Sequence, residues 1–232
     1  MSDLKTQLPD GRLVSIAPDA VDRLCCGVIV LDPVSVFDNP DVAAATAEVG
    51  RVLQQKHEGL LPSQIEGLTE ARNLYKSFNM DPSRHRPSSE ALLRRVMKGK
   101  DLYSISNAVD SCNLACLKFL LPVGMYDLNL VAGDVVLRSG SSGESYPGIR
   151  KGDVNLDGRL GLFDQDGPFG SPTSDSARTC VSINTNRVLA VIMATNAFPM
   201  AEMDSAVNTF ADLFSEHCRG LEIHRAILGG SQ

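Results

Sequence analysis

The chain has 232 residues, 43% of them hydrophobic and 22% charged, with a formal net charge of −6. That length buries a sizeable core in one domain or a domain with a small annex, and no apolar run approaches the ~20 residues of a membrane span. The acidic balance excludes bulk attraction to nucleic acid, which needs many Lys and Arg contacts to phosphate. DNA is therefore not an expected partner, and RNA would need a local basic patch.

The first twenty residues are polar and carry Pro9, Gly11 and Pro18, so they read as a loosely ordered lead-in. They lack the basic-then-apolar layout of a signal peptide, and a cytoplasmic protein is expected. Six cysteines then read as reduced thiols, most of them small core residues. With no CxxC pair and no HxxxH, neither a zinc site nor a cofactor is expected. The compact run at residues 25–31 is rich in β-branched side chains and predicts a buried strand. Asn39, Pro40 and Asp41 predict an N-cap with proline at the first helical position. Val42, Ala45, Val49 and Val52 are that helix's inner face, and Gly59 closes it. A second helix is predicted over 66–78, with Leu68, Ala71, Tyr75 and Phe78 inward.

Residues 80–90 contain Asp81, Pro82, Arg84, His85, Arg86 and Pro87, the composition of a rigid loop. Ser88 or Ser89 is expected to cap a helix that begins near Glu90, with Leu92, Leu93, Val96 and Met97 inside. Arg94, Arg95, Lys98 and Lys100 complete the sizeable basic concentration of an acidic chain. On the helix these read as a solvated face whose last-turn cations complement the dipole. Arg84 and Arg86, flanked by prolines, read as contacts for phosphate or carboxylate.

The stretch 106–130 is the one the chain is organised around. Ser106 or Asn107 caps a helix whose apolar stripe is Val109, Cys112, Cys116 and Leu120. Asp110 and Asn113 lie three apart and share a face. Pro122 stops the helix, and an apolar run leads to Asp127. This arrangement holds a pocket, or else the polar pair only satisfies nearby backbone. Further on, residues 135–138 form a short strand, and turns and short strands follow. The DVNLDG run at 153–158 matches the start of a calcium loop, with Asp164 at the twelfth position. It lacks the bidentate Glu and the flanking helices such a loop requires, so no metal is expected. The segment 166–178 holds Gly167, Phe169, Gly170, Asp175, Ser176 and Arg178. Its glycines, prolines and hydroxyls describe either a rigid loop with backbone amides aimed at a ligand or a long structural hairpin. Residues 188–194 predict a fully buried strand, 204–218 an amphipathic helix and 221–227 a last strand before a Gly-Gly-Ser-Gln tail.

The residues Val109, Asp110, Asn113, Pro122, Asp127 and Leu128 resemble the VVD.TN…P…HAFDL pattern of the B3/B4 editing module of the phenylalanyl-tRNA synthetase β chain. The resemblance continues, in the same order, through residues 133–138, 155–158, Phe169-Gly170 and 185–189, about half the chain. Stand-alone B3/B4 proteins carry a DP..RRPSSEALLRR signature very similar to the one around Arg86, Ser88 and Glu90. The resemblance implies an α/β (α+β) fold with a mixed sheet flanked by helices. It places the B3/B4 domain at 80–232, closest over 80–196. Residues 1–79 lie outside the match and are expected to pack on it, because the strand at 25–31 has too little partner sequence nearby to bury both its faces. It implies a site for amino acids attached to tRNA, where the synthetase module hydrolyses mischarged tyrosine. Asn113 matches the family's asparagine. The family's histidine falls on Gly124, and its loop glutamate has no counterpart after Phe169-Gly170, which weakens the case for tyrosine selectivity. An aminoacyl ester can be hydrolysed by an oriented water and oxyanion donors, for which Asn113 and Arg178 are the candidate catalytic residues. Arg84, Arg86, Ser88, Glu90, Asp110, Asp127 and the 167–176 residues named above are candidates for binding substrate. Two readings stand: a free-standing hydrolase of mischarged tRNA, and a non-catalytic module for RNA or an amino-acid-like ligand.

Overall fold

The computed structural model describes residues 3–149 and 152–230, save the side chains of Ser63 and Glu66. The fold is built on two strands that read as unbroken apolar runs, β3 (Cys25–Leu31) and β10 (Val188–Ala194). They pair antiparallel, Val188 opposite Leu31 and Ala194 opposite Cys25. With β11 (Glu222–Gly229) outside β3 and β4 (Val123–Asp127) outside β10 they form a four-stranded antiparallel sheet. Alternate residues of the two central strands enter different cores. Cys25, Ile29, Leu31, Val188, Ala190 and Ile192 pack against helices. Cys26, Val28, Val30, Leu189, Val191 and Met193 pack against a second sheet. Burial on both faces is why neither run shows polar alternation.

The helical layer comprises α4 (Asn107–Phe119) and α5 (Met200–Cys218), with α1 (Pro40–Lys56) and α3 (Ser88–Met97) packed outside α4. Gly27 lies against Val207 and Met203 of α5, where a β-carbon would collide with Val207, so the glycine sets the distance between sheet and helix. α2 (Glu66–Ser77) lies beside α3 and β10. The second sheet has the order β1 (Lys5–Gln7), β2 (Leu13–Ile16), β5 (Val135–Ser139), β8 (Leu160–Asp164), β9 (Gly167–Gly170). It is mixed, because β2 and β5 run parallel and its other pairs antiparallel. A small hairpin, β6 (Ser145–Pro147) with β7 (Asp153–Asn155), covers one end. The protein is thus an α/β domain in three layers, helices on sheet on sheet.

Several local expectations hold. The Asn39 side chain accepts from the Asp41 amide, and Ser106 accepts from the Val109 amide. Others are corrected. Residues 5–16 are not a loose lead-in. They form the β1–β2 hairpin, turned at Gly11 (φ +91°), with Val14 and Ile16 buried once β2 pairs with β5. Neither Ser88 nor Ser89 caps α3. Pro87 holds that position without a side-chain bond, and both serines lie inside the first turn. The helix predicted at 204 starts at Met200, and Ser231-Gln232 of the tail lie outside the described residues. Because β3 is sandwiched between β10 and β11, we propose that residues 1–79 do not fold as a separate unit. Limited proteolysis is expected to release no stable fragment ending near residue 78; recovery of a folded one would contradict this.

Candidate functional site

The clearest concavity lies where α1, the 99–104 connection and α4 meet, a cavity of about 400 Å³. The Ser106 cap fixes the start of α4, so that Asp110 and Asn113 both face this space from its first two turns. Asp110 is 5% exposed. Its carboxylate accepts from the Ser104 hydroxyl at 2.9 Å and from the Ile105 amide at 3.0 and 3.2 Å, pinning the connection that forms one wall. Asn113 is half-buried and lines the same wall, and its side-chain amide makes no hydrogen bond among the described residues. The rim carries Arg51 and Lys100. Tyr103, 64% exposed, has the Arg95 guanidinium 4.1 Å from its ring centroid. A shallower hollow, sharing Arg51 and Gln54, continues along α1 towards His57.

A second cluster surrounds Glu90 at the start of α3. Its side chain is fully buried, yet three arginines reach it. Arg72 of α2 donates through Nε (2.7 Å) and Nη2 (2.8 Å), and Arg94 through Nε (2.7 Å). Arg86 stands further off, with Nε at 3.9 Å. Burial alone would push the Glu90 carboxyl up, but the bonds from Arg72 and Arg94 outweigh it and hold it below the ordinary range. The hydroxyls of Ser88 and Ser89 are buried without a partner.

A third cluster gathers around the Tyr126 ring of β4. Phe169 meets it edge-on, with centroids 4.8 Å apart. The phenol lies over Gly124 and Gly170, where a β-carbon at either position would collide with its oxygen. The position at which the resemblance expects a histidine is therefore filled by Tyr126 and has no room for a side chain. Asp175 reaches the same place, accepting from the Met125 amide at 3.4 Å. Burial pushes its carboxyl up to about 7, against the smaller opposing pull of the Met125 amide and the Tyr126 hydroxyl. That hydroxyl is buried and makes no hydrogen bond of standard geometry with a described group, so its pull on Asp175 is weak. A bond with Cys116, together with burial, pushes the Cys112 thiol well above its ordinary range. It is no nucleophile at neutral pH.

Of the remaining candidates, Ser176 and Arg178 border this cluster. The Ser176 amide donates to the Phe169 carbonyl at 3.0 Å, and the Arg178 guanidinium lies 5.8 Å from the Phe169 ring centroid. The others lie elsewhere. Arg84 is largely exposed and pairs loosely with Asp81, at 3.7 Å. Asp127 accepts from the Thr185 hydroxyl (2.7 Å) and the Asn129 amide (3.0 Å), which fixes the turn after β4. Gly167 (φ +110°) opens β9 immediately after the two-residue turn from β8. The Ser176 hydroxyl shares a contact of 3.2 Å with that of Thr179. Arg178 is a bidentate partner of Asp164, at 2.8 and 2.9 Å. That pairing also occupies the carboxylate at the twelfth position of the calcium-like run, and Asp164 further accepts from the Ala132 and Asp166 amides. Among the described residues no group of three or more acids, cysteines or histidines is arranged to hold a metal, and no helix is long and apolar enough to cross a membrane.

The candidates thus distribute into three places: Asp110 and Asn113 at the cavity, Arg86, Ser88 and Glu90 at the start of α3, and Phe169, Gly170 and Asp175 around Tyr126. Sequence reasoning missed Arg72 and Tyr103 as members of these clusters. It read Arg94 and Lys100 as a solvated helix face, whereas Arg94 bonds the buried Glu90 and Lys100 lies past the end of α3 at the cavity. Arg72 and Glu90 are eighteen residues apart, so no helical spacing links them. Lys100 and Tyr103 sit in a connection without periodicity. A basic and an aromatic residue so close to a polar helix start were the available signal.

The protein is a three-layer α/β domain with an open cavity beside its central helix. A model of the B3/4 domain matches residues 70–226, more than half of the chain, and the chain belongs to this family. It is also similar in fold to an N-terminal fragment of the phenylalanyl-tRNA synthetase β-subunit from Pyrococcus horikoshii, at 12% identity and a TM-score of 0.48. The match covers 92% of this chain and 49% of that one, so the chain spans about half the length of that fragment. No curated protein matches.

Proposed function

We propose that the cavity between α1 and α4 receives the aminoacyl end of a tRNA and that the protein hydrolyses the ester there. The observation that carries this reading is that Asp110 and Asn113 share the cavity wall while the half-buried Asn113 amide makes no hydrogen bond among the described residues. That amide is free to donate to a ligand carbonyl. The cavity volume of about 400 Å³ suits one amino acid with part of its nucleoside. Asp110, one turn before, is held by Ser104 and Ile105 and contributes negative charge to the wall that the α-ammonium would face. Arg51 and Lys100 at the rim suit the adjoining phosphate. Tyr103 offers a stacking face for the terminal base.

In this arrangement Asn113 Nδ2 donates to the ester carbonyl and strengthens that bond as oxyanion charge develops. Water attacks the ester carbon, the acyl C–O bond breaks, and the proton released by the water passes to the departing ribose oxygen, leaving free amino acid and tRNA. The cavity lining holds no cysteine or histidine. That same lining, and the closed position at Gly124, favour a second reading in which the cavity binds an aminoacyl group without turning it over.

The test is deacylation of a panel of mischarged tRNAs beside thermal-shift titration with free amino acids. Wild-type turnover on some tRNA, reduced about a hundredfold or more in Asn113→Ala, supports the hydrolase. Saturable amino-acid binding without turnover, weakened in the same variant, supports the binding module. If Asn113→Ala matches wild type in every assay that gives a signal, the cavity is not the site. Circular dichroism separates loss of function from loss of fold.

A further inference from the structure

Three positive charges converge on one buried carboxylate at the start of α3. Glu90 is matched by a bidentate Arg72 and by Arg94, four residues on, while Arg86, four residues before, stands at 3.9 Å. One cation suffices to compensate a buried carboxylate. The other two leave this spot with two positive charges in excess, and among the described residues no further acid pairs with Arg72, Arg86 or Arg94. Solvent screens part of that excess, since all three arginines are partly exposed, and a bound anion would offset the rest.

The geometry suits one class of anion. Arg94 spends only Nε on Glu90, and Arg86 spends little, so the Nη edges of both remain for a ligand. Arg72, Arg86 and Arg94 have side-chain exposures of 22%, 48% and 32%, which puts their outer edges within reach of solvent while Glu90 at 0% anchors them from beneath. The Arg72 and Arg94 forks, held by Glu90, are pre-organised for the oxygens of a phosphate group, and the loosely held Arg86 is free to close on it. The first amides of the same ten-residue helix add donors, since Pro87 caps it without a side-chain bond. We propose that Arg72, Arg86 and Arg94, anchored by the buried Glu90, form a phosphate-binding site. It goes beyond the reading of the Asn113 cavity, whose lining includes none of these residues, and either can fail without the other. The phosphate belongs to an RNA backbone or to a small phosphorylated molecule.

The experiment titrates inorganic phosphate, and separately a short single-stranded RNA without terminal phosphates, into the full chain by calorimetry. Chloride holds the ionic strength constant. Wild type is compared with the Arg86→Gln/Arg94→Gln double variant. These side chains reach solvent, so the variant is expected to fold, as circular dichroism checks. Should it not, Arg86→Gln alone replaces it. Saturable phosphate binding that weakens at least tenfold in the variant supports the site. If the RNA binds, competes with phosphate, and loses about 1.4 from its log-log salt slope in the double variant, the source is an RNA backbone. If phosphate binds and the RNA neither binds nor competes, the source is a small phosphorylated molecule. Failure of wild type to bind either probe, or equal affinity in wild type and variant, overturns the proposal.

Discussion

Glu90→Gln is expected to destabilise the protein by about 3 kcal/mol, which in a chain of this size lowers the melting temperature by roughly 10 °C. Glutamine keeps the volume of the side chain but removes the carboxylate that three guanidinium groups share. The value sits at the low end for a broken buried ion pair because the arginines themselves reach solvent. The pH dependence gives the prediction its sign. The Glu90 carboxyl is held below its usual 4.5 in the folded state. Its stabilisation is therefore present above that value and is lost as the pH falls through the folded pKa. Wild type should lose this increment in acid, whereas Glu90→Gln, having nothing to protonate, should not. Denaturant titrations of both proteins at pH 7 and at about pH 3 would decide it. Equal stability at neutral pH would mean that the arginines are compensated by something other than Glu90.

Asp175→Asn is expected to do the reverse, raising stability at neutral pH. The folded carboxyl titrates at about 7 against an ordinary 3.8, mainly because it is buried beside Tyr126, Cys112 and Tyr146 without a cation. Between those values the folded protein holds a proton that the unfolded chain has released. Stability is then full below about pH 4 and falls until the pH passes about 7. The loss amounts to at most about 4 kcal/mol. Asparagine keeps an oxygen for the Met125 amide and carries no charge, so the variant should recover most of that loss at pH 8 and show a flat profile. A variant that is less stable than wild type at pH 8 would show that Asp175 is ionised and compensated there.

These two residues illustrate where reading along the chain stops. Glu90 was legible as part of a Pro-Ser-Ser-Glu helix start, but its three-arginine environment was not, because Arg72 arrives from a different helix. Asp175 was legible as an acid in an unusual loop. Its raised pKa depends on that loop folding over β4, with Gly170 beneath the Tyr126 phenol. Asp110 and Asn113 were legible as one helical face. That the face borders a cavity depends on where α1 and the 99–104 connection come to rest. The leading twenty residues illustrate the same limit for the fold. A four-residue strand such as β2 has too little pattern to announce itself, and it is defined by its partner β5 more than a hundred positions away.

Local physics in the sequence determined the two central strands, since seven-residue apolar runs can only be buried on both faces, and it determined the helices with their caps at Asn39 and Ser106. It also carried the order of motifs that marks the B3/4 family. The tertiary structure alone decided which polar residues share a site, because charge compensation, burial and cavity walls arise between elements distant in sequence. Of the candidates, it left the Asn113 amide unpartnered at a cavity, surrounded Glu90 with arginines, and engaged Arg178 and Asp127 in local bonds.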